Sequence, residues 1–314
     1  MSVENSIEIS VVIPVYNEEL SLHPLFNELY PVMKNMGRPF EIIFINDGSK
    51  DNSFSILYDF WKEHNEVRIV DLNGNFGQHM AIMAGFEVAK GEKIITLDAD
   101  LQNPPIEIPN IVAKMDEGYD VVGTYRINRQ DTFFRKFASK IVNKITNKIA
   151  KLQIKDYGCM LRGYNKRIIE IINIAKESTT FIPALGQKFA VNPIEIPVSH
   201  RDRQLGESKY GLIQLIRLNF DLMTSFSLIP LQMVTMAGMA ISFLSLLLVV
   251  YMLARRIILG PEVQGVFTLM AIQFLLTGIV LFSLGITGEY MGRIYREVSK
   301  RPRYAVKTLL SHDE

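Results

Sequence analysis

Two aspartates one residue apart follow a short apolar run in the segment 96–105, TLDADLQNPP. On a strand, residues i and i+2 point to the same side, so an extended chain places the carboxylates of Asp98 and Asp100 side by side. Like charges this close raise the pKa of one carboxyl group unless a cation lies between them. Gln102 adds an amide oxygen on the same side if the chain stays extended. The spacing therefore predicts a Mg²⁺ or Mn²⁺ site at Asp98, Asp100 and Gln102; the alternative is a solvated pair of carboxylates without a function.

Other metal and phosphate motifs do not account for these aspartates. An EF-hand calcium loop requires Gly at its sixth position and Glu at its twelfth, where this chain has Asn103 and Pro109. The chain contains neither G-x-G-x-x-G nor G-x-x-x-x-G-K-[ST], so no dinucleotide or P-loop phosphate cradle is predicted. A cation held by the aspartates is then the expected binding partner of a diphosphate.

Strands and helices alternate in the part of the chain that surrounds these aspartates. Apolar, β-branched runs predict strands at 9–15, 41–45, 67–72, 93–97 and 119–123, and helices lie between them, for example at 77–89 and 106–118. Such runs indicate an α/β fold with a mostly parallel sheet covered by helices on both faces. The polar clusters YNEE, NDGS, NGN and DADLQ each follow one of the runs. Because ligands of these sheets bind beyond the carboxyl ends of the strands, we expect the four clusters to meet in one crevice.

Composition excludes several classes of protein. The chain has 314 residues and a net charge of +1, which does not indicate a nucleic-acid partner. A single cysteine, Cys159, rules out an internal disulfide framework and suits a reducing compartment. We interpret this cysteine as a small buried apolar residue rather than a nucleophile.

Two charge-free segments near the C-terminus predict a membrane anchor. Residues 233–254 and 266–288 contain no charged side chain, and each is long enough to cross a hydrocarbon core of about 30 Å. The short connection 255–265 makes them a transmembrane hairpin. Basic residues are more frequent after the hairpin than within its loop, which places both termini in the cytoplasm. Those after the hairpin are Arg293, Arg296, Lys300, Arg301, Arg303 and Lys307, against Arg255 and Arg256 in the loop.

The expected domain organisation follows from this pattern. We expect residues 1–211 to form a cytosolic α/β domain, 212–228 an interfacial helix, 229–290 the two transmembrane helices and 291–314 a cytosolic basic tail. No signal peptide is predicted at the N-terminus.

Several motifs in order resemble one enzyme family. VVIPVYNEE, INDGSKDNS, NFGQHMAIMAG, TLDADLQNPP and GESKY are together similar to family 2 glycosyltransferases of the polyprenyl-phosphate type, and the likeness extends through the hairpin. Within that family, GQHMAIMAGF, DYGCML and TFIP resemble the bacterial enzymes that transfer 4-deoxy-4-formamido-L-arabinose to undecaprenyl phosphate for lipid A modification and antibiotic resistance. The Q-x-x-R-W motif of processive synthases is absent, since the only tryptophan is Trp61.

The resemblance implies a GT-A fold, a UDP-sugar donor, an undecaprenyl phosphate acceptor and inversion at the anomeric carbon. It also implies a divalent cation, Mg²⁺ or Mn²⁺, and a location in the bacterial inner membrane. Residues implied in nucleotide binding are Pro14, Tyr16, Glu18, Asp47, Asp98, Ser208 and Lys209. Residues implied in catalysis are Asp98, Asp100, Asp156 and Arg203, the last reaching the donor diphosphate. The family often has Asp where this chain has Asn46, which leaves base recognition open.

Further residues follow from their chemistry within this interpretation. Arg126, Arg129 and Arg135 are candidates for binding the acceptor phosphate, the alternative being a solvated basic loop. Asp156 is expected to orient one of these arginines or the sugar, or else to be only a salt-bridge partner. Sugar selectivity is assigned to Gln78 and His79, although a structural role for His79 is equally compatible with the sequence.

Two amphipathic segments are expected near the bilayer. Residues 133–152 combine an apolar stripe with lysines at every fourth position, which is typical of a helix on anionic membrane lipids and also of a helix packed on the sheet. Residues 212–227 predict a second interfacial helix. Glycines in the spans permit close helix packing, and we expect a homo-oligomer.

The alternatives differ in the sugar or in the class of function. The same reaction with N-acetylgalactosamine, glucose or mannose fits the same motifs. A non-catalytic membrane scaffold is a second class, which the presence of Asp98, Asp100 and Gln102 argues against. A flippase would require ionisable residues inside the membrane, and the two charge-free spans have none.

Overall fold

The computed structural model describes residues 6–126, 154–156, 158–175, 181–199, 201, 229–259, 266–298 and 302–312. The chain divides into two compact units. The first contains Met1–Leu215 together with Arg301–Glu314, and the second contains Ile216–Lys300.

The described part of the first unit is built on an eight-stranded sheet. Its strands are β1 (Ile9–Val15), β2 (Phe40–Asn46), β3 (Val67–Leu72), β4 (Lys93–Thr96), β5 (Val121–Arg126), β6 (Arg162–Asn165), β7 (Pro193–Val198) and β8 (Val306–Leu310). Their order across the sheet is β7-β5-β6-β4-β1-β2-β3-β8. The neighbours β4, β1, β2 and β3 are parallel, as is the pair β5 and β7. The sheet is therefore mostly parallel, as the sequence predicts.

Two strands run against this direction and bring their first residues to the carboxyl ends of their neighbours. β6 is antiparallel to β4 and β5, and its first residue, Arg162, lies opposite Thr96 at the end of β4. β8 is antiparallel to β3, and Val306 lies opposite Leu72. The backbone continues this pairing beyond the strand, since Asn73 N–H donates to the carbonyl of Ala305 at 2.8 Å.

Helices follow most of the strands. They are α1 (Leu22–Asn35), α2 (Ser53–Glu63), α3 (Gln78–Val88), α4 (Ile108–Asp116), α5 (Lys166–Ile174), α6 (Ile182–Phe189), α7 (Ile229–Leu259) and α8 (Val266–Val298), with a 3₁₀ turn at Pro105–Glu107 before α4. α1 buries side chains at helical spacing, namely Leu22, Leu25, Phe26, Leu29 and Met33.

Both faces of β1 are covered, because alternate residues contact different helices. Val11 and Ile13 belong to the buried cluster that contains the apolar side chains of α1 and α4. Val12 points the other way and meets α3, where a Cβ on Gly85 would lie 2.5 Å from Val12 Cγ1. The missing side chain at Gly85 lets α3 lie directly on the sheet, which fixes Gln78 at the start of α3 near the strand ends.

The strands expected around 9–15, 41–45, 67–72, 93–97 and 119–123 are confirmed within a few residues, as are the helices expected at 77–89 and 106–118. The strands β6, β7 and β8 were not predicted. β8 lies in the segment 291–314, which the sequence had suggested to be a basic tail, and it is part of the sheet.

The second unit contains α7 and α8. Within α8, Ile272–Gly292 has the length and composition to cross a membrane, with 21 residues and a mean hydropathy of 1.6. It is the one such segment among the described residues, where Leu231–Ile241 of α7 is a shorter apolar stretch. Large apolar side chains of α8 are exposed, including Phe274 and Phe282. The first span of the expected hairpin, 233–254, is helical, and its crossing of the membrane stays a prediction.

Candidate active site

The polar clusters that follow β1, β2, β3 and β4 are joined by hydrogen bonds between their loops. Asn17 after β1 donates its N–H to the Ser49 hydroxyl at 3.1 Å, and its side-chain oxygen accepts from Lys50 N at 2.8 Å. The loop after β2 is bonded in turn to the loop after β3, and the start of α3 to the loop after β4. The expected convergence at the carboxyl ends of these strands is confirmed.

Asp47 holds the loop after β3 in place. Its buried carboxylate accepts hydrogen bonds from Phe76 N at 2.7 Å and from Gly77 N at 2.9 Å. Burial raises the pKa of Asp47, and the two backbone donors oppose that rise. The role implied for Asp47, binding of the base or ribose, stays a prediction, and what the structure adds is the anchoring of Phe76–Gly77.

Asp98 and Asp100 lie beyond the end of the strand, and Asp100 is in a turn with Ala99. β4 ends at Thr96, and Leu101 adopts a left-handed backbone with φ 63°, a conformation that costs about 1 kcal/mol or more for a branched residue. The expectation of an extended chain through this segment is therefore wrong. The turn still keeps the two carboxylates close enough for Asp100 to raise the pKa of Asp98.

Asp98 lies at the centre of the charged groups at this edge. Burial, Asp100 and Glu18 raise its pKa to about 7, while the hydrogen bond from Gln78 and the positive charge of Arg126 oppose the rise. The Gln78 amide nitrogen donates to Asp98 Oδ1 at 2.5 Å. A carboxyl group with this pKa is poised to exchange a proton for a cation near neutral pH.

The donor set fits a hard divalent cation that is completed by substrate. Among the described residues, no group of three or more His, Cys, Asp or Glu side chains is arranged to hold a metal ion. Mg²⁺ at phosphate-binding sites needs only one or two carboxylates, with phosphate and water as its other ligands. Asp98 and Asp100 meet that requirement, and their mutual repulsion favours a cation. Gln102 contacts Asp100 of this pair, because its amide nitrogen donates to Asp100 Oδ2 at 2.7 Å.

Arg126, the last residue of β5, forms a two-point ion pair with Asp156. Its Nε lies 2.6 Å from Asp156 Oδ2 and its Nη2 lies 2.9 Å from Oδ1. The guanidinium packs on Gly158, where a Cβ would be 2.9 Å from Arg126 Nη2. The ion pair fixes the plane of the guanidinium, and the charge of Arg126 acts on Asp98.

Two buried charged residues near this ion pair, Arg162 and Glu195, were not predicted from the sequence. Arg162 is 2% exposed and donates to the carbonyls of Cys159 and Asp156, both at 2.9 Å. Its Nη1 lies 4.0 Å from Glu195 Oε1. A lone arginine in the segment CMLRGYN carries no periodic or motif signal, and only its burial identifies it.

His79 lies beside Phe181, with the rings edge to face at 5.0 Å. Burial lowers the pKa of His79 to about 4, so the imidazole is neutral at pH 7. Its Nδ1 is buried and has no hydrogen-bond partner within the described part of the chain. The two interpretations of His79, sugar recognition or a structural role, both stay open.

The remaining candidates divide by location. Pro14 lies in β1 next to Ile45 in register, and Tyr16 and Glu18 follow the strand. Arg129, Arg135, Arg203, Ser208 and Lys209 lie outside the described residues, as do the segments 133–152 and 212–227.

Comparisons with known proteins agree with this arrangement. Residues 10–172 match the family described as Glycosyl transferase family 2. A relative from Enterobacter sp. (strain 638), named undecaprenyl-phosphate 4-deoxy-4-formamido-L-arabinose transferase, is 47% identical over 307 residues, which cover 97% of this chain and 94% of the relative. A relative of the same name from Shewanella sediminis (strain HAW-EB3) is 47% identical over 305 residues, 96% of this chain and 92% of the relative.

The fold is similar to that of glucosyl-3-phosphoglycerate synthase from Mycobacterium tuberculosis, solved with Mn²⁺, uridine diphosphate and phosphoglyceric acid. The TM-score is 0.51 at 14% identity, over 70% of this chain and 77% of the other. This likeness supports the fold alone. With the sheet order and the family match, it confirms the expected GT-A type of architecture, and the chain belongs to glycosyl transferase family 2 and is a glycosyltransferase.

Proposed function

We propose that the enzyme transfers 4-deoxy-4-formamido-L-arabinose from its UDP-sugar to undecaprenyl phosphate, with inversion at the anomeric carbon. The observation that carries this proposal is the 47% identity, over nearly the whole chain, with relatives named for that sugar and that acceptor. The carboxylates at the ends of the strands, with Arg126 acting on them, supply the groups that such a reaction requires.

The reaction needs no strong base from the protein. A phosphate oxygen of the acceptor attacks the anomeric carbon, the bond from that carbon to the UDP oxygen breaks, and its electron pair leaves with UDP. A phosphate monoester has a second pKa of about 6, so the nucleophile is already mostly a dianion at neutral pH. What the protein must do is hold two anions together and orient them.

The residues of this chain divide that work. Asp98 and Asp100 would hold a divalent cation, Mg²⁺ or Mn²⁺, against the donor diphosphate, and Gln102 bonds to Asp100 beside them. When bound, the cation neutralises the charge that develops on the leaving UDP. Arg126, held in plane by Asp156, neutralises and aims the acceptor phosphate. Arg129, Arg135 and Arg203 remain candidates for further phosphate contacts, and Ser208 and Lys209 for the nucleotide.

The proposed location is the cytoplasmic face of a bacterial inner membrane. The acceptor is a lipid, and α8 contains a segment with the length and composition to cross a bilayer. The product would serve modification of lipid A. A homo-oligomer and contacts with membrane lipids remain part of this proposal.

The experiment is transfer by the purified full-length protein from a panel of UDP- and GDP-sugars to undecaprenyl phosphate, with Mg²⁺ or Mn²⁺ and with a chelator. Product from the UDP-formamidoarabinose donor alone, abolished by chelation, is the expected result. Product from a different donor would replace the sugar and retain the reaction. A folded protein that forms no product from any donor contradicts the proposal.

A further inference from the structure

We propose that Arg162 is a positioning residue for binding of the acceptor phosphate, acting through Asp156 and Arg126. This inference deepens the proposed function and rests on it, because it takes Arg126 to contact that phosphate. Arg162 itself is buried at the start of β6, which lies between β5 and β4, and it is not proposed to touch either substrate.

The contacts of Arg162 close the segment that carries Asp156. Its Nη2 donates to the Asp156 carbonyl and its Nε to the Cys159 carbonyl, both at 2.9 Å. One rigid guanidinium therefore links the Asp156 and Cys159 carbonyls, which fixes the distance between these two points of the chain. Arg162 stands at the first position of β6, beside Thr96 at the end of β4. The position of the Asp156 segment is therefore fixed relative to β4, the strand that leads to Asp98 and Asp100.

Further hydrogen bonds tie the same segment to both ends of the aspartate turn. The Thr96 hydroxyl donates to the Met160 carbonyl at 2.5 Å. The Cys159 thiol lies 3.5 Å from Asn103 Oδ1 and 2.9 Å from the Thr124 hydroxyl. Residues before and after Asp98 and Asp100 thus hold the segment that Arg162 closes.

The Asp156 carboxylate in turn orients the Arg126 guanidinium. Both of its carboxylate oxygens bind the guanidinium, and Oδ1 also accepts from Gly158 N at 3.0 Å. Asp156 is buried, so its direction is set by these contacts rather than by water. A displacement of the Asp156 backbone would turn the plane of Arg126.

Glu195 on β7 is the acidic side chain that lies near Arg162. Its carboxylate is 4.0 Å from Arg162 Nη1, and its other oxygen accepts from Lys155 N at 2.7 Å. Charged residues of alternating sign follow one another from β7 towards Asp98, and the hydrogen-bonded ion pair among them is Arg126 with Asp156. The Arg162 guanidinium reaches Asp156 through its main-chain carbonyl, so it acts on the position of Asp156 rather than on its carboxylate.

The test uses Arg162→Lys, which keeps the positive charge but loses the planar fork that binds two carbonyls. Binding of farnesyl phosphate, a short polyprenyl phosphate, to the full-length protein is measured by calorimetry in the presence of UDP and Mn²⁺. Binding of UDP with Mn²⁺ is measured separately. We expect the Kd for farnesyl phosphate to rise about tenfold, since small misplacements of a binding group have effects of this order or more, while the Kd for UDP stays unchanged.

The matched control is Arg68→Lys. Arg68 is also buried, lies 3.1 Å from Glu41 and donates to the Val88 carbonyl, but it stands near the amino ends of the strands. This substitution should lower the melting temperature without changing either Kd. If Arg162→Lys behaves in the same way, Arg162 has only a structural role and the proposal is wrong.

A double-mutant cycle with Arg126→Ala decides whether Arg162 acts through Arg126. In the Arg126→Ala background, Arg162→Lys should have no further effect on farnesyl phosphate binding. Independent, multiplicative effects would overturn the proposal. The two levels of inference fail differently: wild-type protein that binds neither ligand contradicts the proposed function, whereas wild-type binding that Arg162→Lys leaves intact contradicts only the positioning role.

Discussion

The acidity of Asp98 links the residue to the proposed cation. Burial and the neighbouring carboxylates raise its pKa to about 7, so in the absence of metal the protonated form is populated at neutral pH. A cation binds the ionised form and must displace the proton. Because the pKa of Asp98 is raised, protonation of Asp98 competes with the cation as the pH falls through about 7. Well above that pH the carboxylate is ionised and the competition is absent.

We therefore predict that Mn²⁺ affinity depends on pH. It should be constant above about pH 8 and fall by up to about tenfold per unit below about pH 7. Gln78→Ala should move the midpoint of this pH dependence to higher pH. The hydrogen bond from Gln78 stabilises the ionised Asp98 carboxylate, so its removal raises the pKa further. Titration of Mn²⁺ binding by electron paramagnetic resonance at several pH values measures both effects. An affinity that is flat across neutral pH would be incompatible with Asp98 as a ligand.

Asp100→Asn tests the second carboxylate. We expect kcat/KM to fall by roughly 10²- to 10³-fold, the usual cost of losing one preorganised electrostatic contact, together with weaker Mn²⁺ binding. The fold should persist, because Asp100 bonds locally to Gln102. Asp116→Asn is the control, since Asp116 pairs with Arg38 and Lys93 at the end of α4. Equal transferase activity in wild type and Asp100→Asn would remove Asp100 from the site.

At the residue scale, sequence predicts groups that follow strands and misses groups that are defined by packing. Asp98, Asp100 and Arg126 could be predicted from the sequence because each lies at or just beyond the end of a predicted strand. Arg162 and Glu195 were not, because their importance comes from burial and from partners on other strands. The left-handed backbone at Leu101 also has no local signal, since Gly or Asn is the usual residue there.

The loops after β2 and β3 form one element through a close backbone contact at Gly48. Its φ is +67°, and a Cβ there would lie 2.5 Å from the Gly74 carbonyl carbon. No side chain fits without moving the loop after β3, which Asp47 also anchors. The distance between the loops after β2 and β3 is therefore set by the contact between the Gly48 and Gly74 main chains.

Gly48→Ala should lower the free energy of unfolding by about 2–4 kcal/mol, from the left-handed backbone together with the clash. Gly37→Ala is a matched control, because Gly37 has φ +63° and a Cβ added there would meet nothing within 4 Å. It should cost only about 1–2 kcal/mol. Thermal unfolding of both variants measures the difference, and equal losses would show that the contact with Gly74 is not a constraint.

The elements that sequence did not predict share a physical cause. β6 consists of Arg162–Asn165, four residues without an apolar run, and it forms a strand because β4 and β5 flank it. β7 carries Pro193 and Pro197, which suit its position at the edge of the sheet. β8 is short and far along the chain from β3, its only neighbour in the described sheet. Long-range pairing, not local preference, determines all three.

At the scale of the whole molecule, the excess of basic residues after α8 predicts that both termini lie in the cytoplasm. Single cysteines at Glu262→Cys, between α7 and α8, and at Asp313→Cys test this in a Cys159→Ala background. An impermeant maleimide applied to intact cells should label position 262, and position 313 only after permeabilisation. Labelling of position 313 in intact cells would reverse the orientation.

The return of β8 to the sheet limits how the chain can pass through a bilayer. Met1–Leu215 and Arg301–Glu314 belong to one folded unit, so both ends of the intervening segment lie on the same side of any membrane. The number of crossings between Leu215 and Arg301 must therefore be even. A chain that crosses once in α8 has to cross a second time, and α7, with 31 residues, is the other described helix long enough to do so. This even number does not depend on the distribution of lysine and arginine. It follows from the antiparallel pairing of β8 with β3, which consists of four residue pairs.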